Sequence, residues 1–276
     1  MPMKYFYYLI LSFCCIACHS VSDSEKATTY LNRARTCIEE THYNQAKILL
    51  DSIHQTYPRE VTVRRMAKVL LDSISVIENQ RTLAYCDSML PLMQAEVAVA
   101  LKNFRKEEDS AYLDQARYVH KLLRTENNAL RCYLQAKVGE KGNIFLKSMY
   151  CGRPIEHNSL ELHSSELFVK APGDNLHAFD IDNTHCETLT FAQEEALSVL
   201  HFIEEHVQEK IKVLLVGSNS SYPYMLMETE RKALTESYAL SILLSDYERL
   251  MQERRRADIR KSQSLKRLSN STETQE

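Results

Sequence analysis

The chain has 276 residues, with 34 lysines and arginines against 37 aspartates and glutamates, and its formal charge of −3 leaves no global field for nucleic acid. Five glycines, six prolines and no tryptophan point to regular structure with few long loops, and the length allows two modest domains or one elongated one. There is no P-loop, no glycine-rich dinucleotide turn and no HExxH, so these motifs supply no cofactor, no catalytic residue and no metal ligand.

The first segment is an export signal. Lys4 gives a positive n-region, and Tyr5 to Ala17 is an apolar run of h-region length, too short to span a bilayer. Three of the eight cysteines, Cys14, Cys15 and Cys18, cluster at its end. The string Cys15-Ile16-Ala17-Cys18 resembles the lipobox of bacterial lipoproteins, with Cys15 where leucine is usual. The resemblance implies that residues 1–17 are removed and that Cys18 becomes a lipidated first residue. At about 0.8 kcal/mol per buried CH₂, several acyl chains make such an anchor effectively permanent. The polar stretch from His19 to Glu25 reads as its tether.

Residues 18–58 continue into a helical hairpin. Tyr30, Ala34, Cys37 and Ile38, then Ala46, Leu49, Leu50, Ile53 and Tyr57, recur at helical spacing around a break at 41–44, and Pro58 closes the second helix. Small Ala34 and Ala46, Tyr43 opening the second helix, bulky Leu50 and terminal Pro58 resemble a tetratricopeptide repeat. Ile53 departs from that pattern, and one repeat length further the key positions hold Lys68, Gln80 and Asp87, so a single unit is expected. A lone unit cannot bury its own face and needs another helix against it.

Residues 59–109 supply that helix, with Val63, Met66, Ala67, Leu70, Leu71, Ile74 and Ile77 spaced by three and four; Pro91 must kink or split it. Asp-Ser-apolar triplets recur here, and they resemble the O-glycosylation sequon of Bacteroidota envelope proteins. The acceptors implied are Ser52, Ser73, Ser88 and Ser110, although Leu-Leu-Asp-Ser-Ile is also an ordinary amphipathic turn.

Residues 110–227 change period. Alternating segments around Glu126-Asn127-Asn128, a GEKGN turn at 139–143, and further strands through HCETLTF and KIKVLLVG predict about eight short, mainly antiparallel strands. One helix is inserted before the last pair, with a capping box expected at Thr190–Gln193 and a stripe of Ala196, Val199, Leu200 and Ile203. Residues 228–268 read as one helix of roughly 60 Å at 1.5 Å per residue, capped by Thr229, with Leu240, Leu243, Tyr247, Leu250 and Met251 as its seam. Residues 269–276 are expected to form a disordered tail. The fold class is α+β: an N-terminal helical hairpin and two long antiparallel stalk helices carrying an inserted, mainly antiparallel β module with one helix.

Candidate chemistry gathers in the β module at His157, His163, His177, Asp180, Asp182, His185, Cys186 and Glu187. Asp180 and Asp182 alternate on one strand face, where they could converge with His185, although polar residues on a half-exposed sheet look the same. His185 and Cys186 are strand neighbours that point to opposite faces, which makes them a poor nucleophilic dyad. Pairing residue 138 with 145 in the GEKGN hairpin sets Cys132 opposite Cys151, a cross-strand disulfide that a one-residue change of register would remove. The run 253–267 carries seven basic residues against two acidic ones, suiting a helix C-terminus or contact with acidic envelope lipid or polysaccharide.

Taken together, the residues predict a lipid-anchored envelope protein, in the outer membrane by its resemblance to Bacteroidota lipoproteins, that presents its β module to a protein partner. The alternatives are a small-molecule or glycan-binding module using Tyr150, Phe168, Phe179, Tyr222 and Tyr224, and least of all a hydrolase. A deep pocket lined by His177, Asp180 and His185 would favour an enzyme; exposed apolar patches would favour protein contact.

Overall fold

A computed structural model describes residues 22–107, 116–218 and 220–273. The expected signal at 1–17, the lipid-bearing Cys18 and Ser110 lie outside the described residues. The chain is α+β and divides into two compact units, one made of residues through Ala84 together with those from Arg255 on, the other of Tyr85–Arg254.

The first unit is helical. Helices α1 (Asp23–Glu39) and α2 (Tyr43–Thr56) form the expected hairpin, and Ser22 and Glu25 close a capping box at its start. Thr41 takes the chain through the turn at φ 62°. Ala27, Ala34, Ala46, Leu50 and Ile53 are fully buried, and the third helix contributes Val63, Ala67 and Ile74 to the same core, as a hairpin with one uncovered face requires. That third helix, α3, runs unbroken over Val61–Ala100 with Pro91 inside it. The last helix, α5, covers Glu228–Glu273, so Thr229 lies within the helix and is not its cap.

The two long helices pair antiparallel through polar contacts. In the first unit Arg267 meets Asp72 at 2.7 Å and Ser264 Oγ lies 3.0 Å from Ser75 Oγ; in the second, Arg254 Nε donates to Asp87 at 2.6 Å. The expected apolar seam is only partly correct. Leu240 and Leu244 are buried, but further along the helix Ala257 and Ser264 are the closed positions and Met251 is exposed. Three of the seven basic residues of the run, Arg254, Lys261 and Arg267, therefore meet partners on α3.

The second unit holds ten strands among the described residues, all paired antiparallel. Six form a sheet in the order β1 (Phe104–Glu107), β2 (Arg117–His120), β3 (Tyr133–Gly139), β4 (Ile144–Cys151), β8 (Thr184–Phe191) and β7 (Asp174–Ile181). Four form a second sheet in the order β10 (Ser221–Met225), β9 (Lys212–Gly217), β5 (His157–Ser164) and β6 (Leu167–Pro172). Between β2 and β3 the chain makes 3-10 turns at Lys121–Leu123 and Thr125–Asn127. Helix α4 (Gln193–Glu205) buries the predicted stripe and adds Phe202. Thr190 does not cap it: Thr190 is a strand residue opposite Lys147, and the N-cap is Ala192, without a side-chain bond. One core joins Leu134, Leu146, Leu160, Leu162, Leu189, Val199, Leu200 and Val213 from both sheets and α4 with Ala233, Leu234, Leu240 and Leu244 of α5.

Candidate functional site

The six-stranded sheet has a core face and an outer face, and the pleat sorts the candidate residues between them. Alternate residues Leu146, Ser148 and Tyr150 of β4 and Glu187 and Leu189 of β8 go to the core; Lys147, Met149 and Cys151, with Cys186 and Thr188, go outward.

On the core face lies a buried serine, histidine and glutamate in series. Glu187 Oε2 is 2.8 Å from His157 Nδ1, and His157 Nε2 is 2.9 Å from Ser148 Oγ. With Nδ1–H donating to the carboxylate, Nε2 is left to accept the serine proton. Glu187 also accepts the backbone N–H groups of Ile155, Glu156 and His157 at 2.9, 3.0 and 3.1 Å. Burial on its own would push this carboxyl up, but the bond from His157 and these backbone donors outweigh it and hold the pKa at about 2. Burial pushes the His157 imidazole down, against the pull of Glu187, so the pair is carboxylate and neutral imidazole. The spacing is that of an acyl-transfer triad, but all three side chains are at most 1 % exposed. What the arrangement does is tie β4, β8 and the start of β5 together.

Of the remaining candidates, Asp180 and His185 come together as expected and the others separate. His185 lies 3.5 Å from Asp180 and 3.3 Å from Glu187. Asp182 is not on the strand face with Asp180: β7 ends at Ile181, and Asp182 and Asn183 form the turn to β8 at φ 47° and 65°. His163 stacks on Phe168 and His177 on Phe179, each pair with centroids 5.5 Å apart. Among the described residues no group of histidine, cysteine, aspartate and glutamate could hold a metal ion.

The disulfide is Cys151–Cys186, not Cys132–Cys151. The β3–β4 hairpin pairs Val138 with Ile144 and Tyr133 with Met149, one residue away from the register that would oppose 132 and 151. On the other side of β4, Cys151 stands directly opposite Cys186. Cys132 keeps a free thiol, 3.9 Å from the Cys151 carbonyl oxygen. The missed pairing was visible only through the β4–β8 register, which joins strands 35 residues apart.

The outer face carries a cavity of about 270 Å³. Its floor is Tyr133 and Gln135 of β3, Lys147 and Met149 of β4, and Thr188 of β8; Thr125 closes one side, His177 and Phe179 of the edge strand β7 the other. The 3-10 turn is held over β3 by Gln135 Nε2, which donates to Leu123 O at 2.6 Å. Lys147 is half-buried and pairs with no carboxylate among the described residues. Burial lowers its pKa, and Lys137 lowers it further. Of the expected enzyme lining, His177 is in this cavity; Asp180 and His185 are not.

The five proposed aromatic faces divide likewise. Tyr150 is buried with its hydroxyl donating to Arg153 O, and Tyr224 is bonded to Glu230, whereas Tyr222 and Phe168 are exposed and Phe179 is half-buried beside the cavity. Of the Asp-Ser positions, Ser52 and Ser73 are half-buried with hydroxyls donating to Ile48 O and Val69 O, while Ser88 is exposed. No family model matches the chain, and neither the curated proteins nor the solved structures contain a significant match to it.

Proposed function

We propose that this is a lipid-anchored interaction protein of the cell envelope, held at the outer membrane through Cys18, whose β module contacts a protein partner. The observation that carries the reading is the apolar character of the module's open edge: on β6, the last strand of the four-stranded sheet, Leu167 and Phe168 are 60 % and 63 % exposed. Large apolar side chains on an edge strand invite association unless a partner covers them. The residue types suited to catalysis meanwhile serve the fold, with Ser148, His157 and Glu187 sealed in the core and Cys186 in a disulfide.

Two measurements test the two halves of this proposal. Replacing Cys18→Ser should move the protein from the membrane to the soluble fraction; retention in the membrane overturns the anchor. A photoreactive phenylalanine analogue at position 168, irradiated in intact cells, should give one discrete crosslinked species that Glu166, substituted in the same way, gives less of. Uniform or absent crosslinking at Phe168 overturns the partner. A second reading, ligand binding by the module, is favoured by the cavity around Lys147.

A further inference from the structure

Beyond protein contact, the outer-face cavity has the chemistry of a small-ligand site, and three features define what would fill it. The first is charge. Its lining contains one lysine, one histidine and no carboxylate, and Glu107, on β1 of the same sheet, is already taken by Lys137 at 2.9 Å. An ammonium half-withdrawn from water, with no ion pair among the described residues, is a standing demand for an anion. The second is an aromatic pair, His177 stacked on Phe179. His177 and Phe179 stand nearly parallel, 23° between ring planes, at the edge of the sheet, with Met149 across the floor. The third is a set of neutral polar groups, with Gln135, Thr188 and Thr125 spaced around Lys147. Gln135 uses its amide N–H₂ on Leu123 O, which turns its carbonyl oxygen to the role of acceptor.

An aromatic wall suits the face of a ring, the lysine an acid group on that ring, and the amide and hydroxyls suit ring hydroxyls. About 270 Å³ is just below the roughly 300–1,000 Å³ usual for small-molecule pockets and admits one such ring. We infer that this cavity binds a single acidic sugar residue, a hexuronate, whose carboxylate pairs with Lys147 while its ring lies against Phe179 and its hydroxyls meet Gln135 and Thr188. The lowered pKa of Lys147 fits a site that waits for a counter-charge: a bound carboxylate would raise it. The inference stands independently of the protein partner, because it uses the other sheet of the module.

The test is calorimetric titration of the full chain in detergent with glucuronate, glucose and benzoate. Glucuronate should bind, and glucose, lacking the carboxylate, should bind at least about tenfold more weakly. Benzoate should also be weaker, since it has no hydroxyls for Gln135 and Thr188; benzoate binding as well as glucuronate would make this an aromatic-acid site and overturn the sugar assignment. K147M should lose about tenfold or more in glucuronate affinity, K147R should keep most of it, and K170M, at an exposed lysine already paired with Glu161, should change nothing. Independently of any variant, the resonance of ¹³C-dimethylated Lys147 should move on adding glucuronate. No binding of glucuronate, undiminished binding by K147M, or an unmoved Lys147 resonance overturns the proposal.

Discussion

Glu187 and His157 are joined twice: Oε2 of the carboxylate receives both the ring Nδ1–H at 2.8 Å and the backbone N–H at 3.1 Å of the same residue. This pair of hydrogen bonds between β8 and the start of β5 locks one sheet of the module to the other. Its carboxylate stands well below its ordinary 4.5 when folded, so its contribution is complete above about pH 4.5 and is lost as pH falls toward 2. The magnitude is on the order of 3 kcal/mol. Glu187→Gln should therefore lower stability at pH 7 by roughly that amount and flatten the acid limb of the stability curve, measured by urea unfolding at successive pH values. An acid limb as steep as the parent's would show that other carboxylates are responsible.

Cys151 and Cys186 close a 35-residue loop across directly paired positions of β4 and β8. Peptide mapping of the unreduced protein should yield a 151–186 crosslink and an alkylatable Cys132. Cys186→Ser should cost about 2–4 kcal/mol. Because burial raises the Cys132 thiol's pKa, its alkylation in the native protein should be slow at pH 7 and accelerate in denaturant. A 132–151 crosslink would contradict the β3–β4 register as well as the disulfide.

Periodicity revealed the helices because each one carries its own apolar stripe: the Ala34, Ala46 and Leu50 set of the hairpin and the Ala196, Val199, Leu200 and Ile203 set of α4 are local in sequence and all buried. The end of the β3–β4 hairpin was also legible, since Gly139 and Gly142 bound it. Its register was not, because a shift of one residue leaves the composition of the turn unchanged and moves Cys132 out of line. The site was less legible still. Lys147 lies between Leu146 and Ser148 in an unremarkable strand, and only the sheet order β3-β4-β8-β7 brings it into one cavity with Gln135, Thr188 and Phe179. Likewise Ser148 and Glu187, 39 positions apart in the chain, meet through His157, and no spacing rule announces such a meeting.

Glu230, in the first turn of α5, is buried and accepts Leu134 N–H at 2.7 Å and the Tyr224 hydroxyl at 3.2 Å, while its other oxygen has no partner. Burial pushes its pKa up to about 7, against those bonds. A raised folded pKa means that the folded state binds the extra proton: the contribution is complete below about pH 4.5 and is lost as pH rises through 7. Glu230→Gln, which stays neutral, should remove this loss and make the protein more stable than the parent at pH 8, with little difference at pH 4.5. Thermal melting at the two pH values decides it; equal pH dependence in both proteins rules out Glu230 as the source.

Gly142 sets the β3–β4 hairpin against α5. Its φ is +86°, and a Cβ built there would come within 2.4 Å of Ser245 N and 2.5 Å of Ser241 O, backbone atoms of the helix that cannot swing aside. The approach is fastened by Ser241 Oγ, which donates to Gly142 O at 2.5 Å. Gly142→Ala combines a left-handed backbone with an overpacked contact, and a cost of roughly 2–4 kcal/mol is expected. Ser241→Ala removes only the hydrogen bond and should cost about 1 kcal/mol. Since β3 and β4 also form the floor of the Lys147 cavity, the glycine variant should perturb the Lys147 resonance whereas the serine variant leaves it in place. Denaturation midpoints ranked parent, Ser241→Ala, Gly142→Ala would bear out the close approach; a Gly142→Ala protein as stable as the parent would mean that the hairpin does not rest on α5 at this distance.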